Sequence, residues 1–184
     1  DELDAPEVAR MGDEIWLFYS DAAGIELARS SDGETFTQEL SPVLDGSAAP
    51  AWEGGAAPRA PGFVALGPGE YRLFYEANGR IGEAVSNDGL SWQRLGDAPV
   101  LEPDAVAAAF DGASVGDPEP WVAIGAEGRR VTRVYYTGRA ADGSSAIGLA
   151  ARYAGQGGLQ RAPAPAFTSP RVPFAPSIVS YRDF

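Results

Sequence analysis

The chain has 184 residues and a formal net charge of −12, and its 14 basic residues are all arginine. Histidine and cysteine are absent, which removes Ser-His-Asp and Cys-His catalysis, Cys/His zinc sites and disulfides together. An acidic chain without a basic stripe also excludes nucleic acid as a partner, because phosphate backbones are bound by clustered lysine and arginine.

At 45% hydrophobic and 22% charged residues the chain has a globular composition. No apolar run approaches the roughly 20 residues of a membrane span. Asp1, Glu2 and Asp4 make the opening residues acidic, unlike a secretory leader, so any leader is expected to have been removed before this numbering begins. Any catalysis rests on carboxylates, tyrosine or arginine, and neither a cofactor nor a metal ligand set is read.

Three segments repeat one order of features, which makes the repeat the first fact about the fold. The first is Ile15-Trp-Leu-Phe-Tyr19, Ile25-Glu-Leu-Ala28, Ser30-Ser-Asp-Gly-Glu-Thr-Phe36 and Pro42-Val-Leu44. The second is Tyr71-Arg-Leu-Phe-Tyr75, Ile81-Gly-Glu-Ala84, Ser86-Asn-Asp-Gly-Leu-Ser-Trp92 and Pro99-Val-Leu101. Tyr19 to Tyr75 and Asp32 to Asp88 are both 56 residues apart (75 − 19 and 88 − 32). The third copy is looser. It keeps Val131-Thr-Arg-Val-Tyr-Tyr136 and Ile147-Gly-Leu-Ala150 but replaces the Ser-x-Asp-Gly turn with residues 152–158. Ala175-Pro-Ser-Ile-Val-Ser180 opens like a fourth copy.

Each unit reads as short aromatic and β-branched strands punctuated by Gly and Asn turns. The run at 105–109 alone has helical character. Strand-rich units of 55 to 65 residues are propeller blades of four antiparallel strands, so the fold is all-β. The units span about 3–45, 52–103 and 110–168, with a further one starting at 174–184. The Ser-x-Asp-Gly turns are read as structural: the aspartate takes turn amides, glycine supplies positive φ and the aromatic packs.

Leu3-Asp-Ala-Pro-Glu-Val8, with Gly12 and the strand ending Tyr19-Ser20, resembles the opening of glycoside hydrolase families 43 and 32. Val115-Gly-Asp-Pro-Glu-Pro-Trp-Val122 is similar to the Arg-Asp-Pro stretch of those families, with Gly116 in place of arginine. The resemblance covers nearly the whole chain as a pattern. It implies a five-bladed propeller of which this is part, with the remaining blades, or a second chain, at the open edge.

The resemblance also implies a glycan or small sugar ligand and a secreted, periplasmic or surface-anchored protein. The Ala, Gly, Pro and Arg bias without lysine suggests a bacterial source. The implied activity is carboxylate acid/base hydrolysis at the central funnel. A non-catalytic sugar-binding or scaffold propeller and a phosphorolytic relative are the alternatives.

In a propeller the first residues of each inner strand approach the channel mouth. The acids there are Asp4, Glu7, Asp117 and Glu119, and Arg59 is the one base. Glycoside hydrolysis needs one protonated and one ionised carboxyl, about 5 to 5.5 Å apart for retention and 6.5 to 9.5 Å for inversion. Asp117 takes the Asp-Pro role that the resemblance implies, or else starts a strand. Glu7 and Glu119 otherwise lie at the surface, and Asp4 frays with the chain end. Arg59 stands where the second unit needs its acid, and there it pairs with Asp117 or Glu7 or grips an anion. Trp52 and Phe110 lie in matching aromatic-acid-Gly loops at the channel rim. Trp52 and Trp121 are the aromatic residues expected to contact a sugar, with packing as the alternative for both.

Overall fold

A computed structural model describes residues 3–106, 108–125, 127–169 and 176–177. Among them are three antiparallel sheets. The first holds β1 (Asp4–Met11), β2 (Glu14–Ser20), β3 (Gly24–Ser30) and β4 (Thr37–Gln38), with β5 (Leu44–Asp45) also on β3. The second holds β6 (Arg59–Gly67), β7 (Glu70–Ala77), β8 (Arg80–Ser86) and β9 (Gln93–Arg94). The third holds β10 (Ser114–Ile124), β11 (Arg130–Arg139), β12 (Ser145–Tyr153) and β13 (Gln160–Arg161), with β14 (Phe167–Thr168) on β12. The all-β blade fold expected from the repeat is therefore the observed one. The run at 105–109 forms turns and bends where described, and the opening of a fourth unit lies outside the described residues except for Pro176 and Ser177. No helix among the described residues is long and apolar enough to cross a membrane.

Pairing registers prove that the blades are copies. Tyr19 pairs with Glu26, Tyr75 with Gly82 and Tyr136 with Gly148, one step from the pairs Ser20–Ile25, Glu76–Ile81 and Thr137–Ile147. Period-2 alternation drives each second strand into the core; Trp16 and Phe18 are buried while Leu17 and Tyr19 are less so. Blades 1 and 2 close on Phe18 stacked against Phe63 at 5.2 Å, with Trp92 edge-on to both. Blades 2 and 3 close on Phe74, Ile81, Val115 and Val134.

The Ser-x-Asp-Gly turns hold themselves. The Ser30 and Ser86 hydroxyls donate to Asp32 and Asp88, whose Oδ1 atoms accept amides two and three residues on. Those amides hold both carboxyls down at about 2.

A second polar device fastens blades 2 and 3 to the loops that precede them. Tyr75 donates to Glu53 at 2.8 Å beneath Trp52, and Arg94 grips both oxygens of Glu53 at 2.7 and 3.0 Å. Tyr136 donates to Asp111 at 2.7 Å beneath Phe110, with Arg161 at 3.1 Å. Glu53 and Asp111 are fully buried. Trp52 and Phe110 thus pack on tyrosines of the latches.

Candidate functional site

β1, β6 and β10 are neighbours, and each is broken at the same place by an X-Pro bulge: Ala5-Pro6, Ala60-Pro61 and Asp117-Pro118. Proline cannot donate to a ladder, so a bulge is where a strand tolerates it. The residue before each proline is left-handed, with φ of +49°, +48° and +46°. Such a backbone costs about 1–3 kcal/mol and persists only where neighbours hold it. The Ala60 amide donates to Ser20 Oγ at 2.9 Å, and the Asp117 amide to Glu76 Oε2 at 3.3 Å. Ser20 and Glu76 are equivalent in register, so β2 and β7 each grip the bulge of the next blade. A Cβ on Gly116 would come within 2.0 Å of Glu76 Oε2, so a larger residue there would have to move the Glu76 carboxyl off the bulge amide.

The bulges converge on a cavity of about 170 Å³ that also takes in Glu7, Glu119, Pro176 and Ser177. Burial, reinforced by Glu119 and opposed by a Phe63 backbone hydrogen bond, pushes the Glu7 carboxyl up to about 8. Asp117, 15% exposed at its side chain, lies 3.7 Å from the Arg139 guanidinium. Burial also raises Glu76, with Arg59 opposing and Asp117 adding to the shift. Glu7, whose carboxyl burial pushes up, and Asp117, beside the Arg139 guanidinium, therefore line one cavity in unlike surroundings, the kind of difference acid/base chemistry uses. Among the described residues no group of three or more acids is arranged to hold a metal ion.

Of the residues singled out in the sequence, Glu7, Asp117 and Glu119 line this cavity. Arg59 is exposed just before the Ala60 bulge, paired in the ladder with Glu76. Asp4 is exposed at the matching place in β1, where its carboxylate accepts the Ala5 amide at 2.7 Å. Trp52 is half-buried at 6.0 Å from Tyr75, and Trp121 lies further along β10 under Arg133 at 5.5 Å. Neither tryptophan reaches the cavity lining. Glu76 and Arg139 were missed. Glu76 had a signal, since it follows Tyr75 in the 56-residue register at the place of Ser20.

No protein-family model and no curated protein matches the chain by sequence. Solved structures do match it. A family 117 glycoside hydrolase from the marine bacterium Zobellia galactanivorans superposes with a TM-score of 0.67 at 18% identity, over 88% of this chain and 55% of that one. A β-1,2-mannobiose phosphorylase from Listeria innocua gives 0.64 at 16% identity, over 90% and 45%. A thermostable family-43 glycoside hydrolase gives 0.59 at 15% identity, over 89% and 54%. The fold that the chain shares with these structures is the β-propeller. The chain spans about half the length of each of these structures. At such identities the likeness carries the propeller and not its activity.

Proposed function

We propose that the channel cavity of this propeller binds a sugar and that the protein cleaves glycosidic bonds, furanosides or related β-linked glycans, by carboxylate chemistry. Glu7 is the general acid, kept protonated near neutral pH by burial and by Glu119. Asp117, beside Arg139, is the base or nucleophile. The observation that carries the reading is a single cavity lined by Glu7, pushed up to about 8, and Asp117. The same reading implies a secreted, periplasmic or surface-anchored protein, with further blades beside blade 3.

The test is a panel of aryl furanosides and β-glycans assayed with wild type, Glu7→Gln and Asp117→Asn. Loss of a positioned acid lowers kcat by about 10²–10⁴, and wild-type kcat/KM should fall above about pH 8 as Glu7 ionises. Variants as active as wild type would remove these residues from catalysis. A wild type that binds sugars from the panel but turns none over would leave a binding module.

Arg59 and Arg139, on either side of Glu76 and Asp117, favour phosphorolysis as a second reading, since guanidinium forks suit phosphate. Turnover that requires inorganic phosphate would establish it.

A further inference from the structure

A second cavity, of about 390 Å³, lies between blades 2 and 3 at the far ends of the strands. β6 runs from Ala60 at the channel to Leu66 at this cavity, six steps or about 20 Å at roughly 3.3 Å per residue. Its walls carry Glu70, Arg72, Arg130 and Arg152, with Tyr153 at the rim.

The charges here do not balance. Glu83, fully buried, accepts Arg152 at 2.9 and 2.7 Å and Arg72 at 3.3 Å. Glu70 takes Arg130 at 3.3 Å and stands 3.9 Å from Arg72. Three guanidiniums share two carboxylates, which leaves one positive charge over. Arg72 Nε is buried with no partner among the described residues. A buried donor left unpaired is costly, and a partly buried charge more so. In a chain of net charge −12, such an excess calls for an anion.

We propose that this cavity is a second ligand site that takes one oxyanion, the carboxylate or sulfate of an acidic sugar, on Arg72, Arg130 and Arg152. Arginine presents fixed pairs of donors that match two oxygens of such a group. The chain's net negative charge repels polyanions, so the favoured ligand is singly charged and its binding is salt-sensitive. Tyr153, 38% exposed with Arg129 5.0 Å over its ring, offers an aromatic surface that a sugar would use and a bare ion would not. The oxyanion half of the inference stands on the arginines alone, and the sugar half rests on the glycan reading above.

Arginine side-chain N–H signals, followed by NMR, test it on titration with glucuronate, glucose, sulfate and inorganic phosphate. Glucuronate should shift the signals of Arg72, Arg130 and Arg152, and glucose should not. Arg130→Gln leaves the Glu83 pairs untouched and should weaken glucuronate about tenfold or more, as loss of a charge-assisted hydrogen bond does. Arg130→Lys, which keeps the charge without the fork, should fall between. Tyr153→Ala should weaken glucuronate but not sulfate. Glu7→Gln should leave both unchanged, so failure of catalysis at the channel does not touch this test. Sulfate or phosphate binding as tightly as glucuronate, indifferent to Tyr153→Ala, would overturn the sugar half. Absence of any shift at the three arginines with every anion would overturn the site.

Discussion

Blade 1 and its two successors differ at one point, the space under the tyrosine of the second strand. In blades 2 and 3 a glycine faces Tyr75 or Tyr136 across the ladder, and a Cβ on Gly82 or Gly148 would come 2.3 or 2.2 Å from the ring's Cζ. The ring lies flat over that glycine and reaches a buried acid from the preceding loop, which an arginine of the outer strand neutralises. In blade 1 the glycine is Glu26 and the arginine is Gln38, whose amide meets Glu26 at 3.5 Å. Tyr19 stays half-buried. The same 56-residue register therefore carries two solutions. Where a loop inserts an acid, the blade buries tyrosine, carboxylate and guanidinium as a unit. Where none is described, the blade brings its own carboxylate from β3.

The largest effect should come from the latch acids. Glu53→Ala and Asp111→Ala each leave a buried tyrosine hydroxyl without its acceptor and take a buried carboxylate from Arg94 or Arg161, and breaking a buried ion pair from one side costs about 3–5 kcal/mol. Gln38→Ala in blade 1 removes only a long, part-buried hydrogen bond and should cost about 1 kcal/mol or less. Urea unfolding of the three variants compares them directly. Equal losses would mean that blade 1 is latched like the others.

Next come the glycines. Gly82→Ala and Gly148→Ala push a methyl into a fully buried ring, an overpacking that costs about 1–3 kcal/mol. Glu26→Ala at the matching site of blade 1 introduces no such clash. Thermal melts that place all three variants together would remove glycine as the reason the two tyrosines lie flat.

The repeat itself was legible because its signals are local. Aromatic strands, Asp-Gly turns and a constant spacing need no knowledge of tertiary structure, and the third copy kept its register through Tyr136 after losing its turn. Part of the candidate cavity's lining was legible for the same reason, since Asp117-Pro118 and Glu7 stand at recognisable strand starts. What stayed hidden depends on contacts between blades. Glu76 faces the next blade's bulge, a relation set by how sheets pack. Glu53 and Asp111 read as rim residues beside Trp52 and Phe110, yet their loops fold inward. The clue was the Ile-Gly step at Ile81-Gly82 and Ile147-Gly148: a glycine opposite a tyrosine marks a ring lying across the strand.

A smaller effect is the pH response of Glu26. Burial raises its carboxyl above the ordinary 4.5, so the folded state holds the proton more tightly than the unfolded chain does. Its contribution to stability is fully present below pH 4.5 and is lost as pH rises through the raised value. Glu26→Gln should flatten that part of the stability curve, measured by urea unfolding at a series of pH values. A slope unchanged in the variant would mean that Glu26 titrates as an ordinary surface acid, leaving Glu7 and Glu76, raised in the same direction, to account for it.

The smallest effect is expected at Thr137, the blade 3 member of the set of residues that follow each tyrosine. Ser20 and Glu76 accept the amide of the following blade's bulge, and Thr137 occupies the same register position in blade 3. Its hydroxyl is fully buried with no partner among the described residues. Ser20→Ala strands the Ala60 amide in a left-handed bulge and should cost about 1–3 kcal/mol, the desolvation penalty of a buried donor. Thr137→Val keeps the shape and deletes a hydroxyl that has been desolvated without return, so its effect should lie near zero or favour folding. Unfolding of the two variants under one set of conditions decides between them. A cost for Thr137→Val as large as that for Ser20→Ala would mean that blade 3 already grips a bulge amide as blades 1 and 2 do. Pro176 would then mark the place to probe, because it stands at the channel with the prolines of the three bulges.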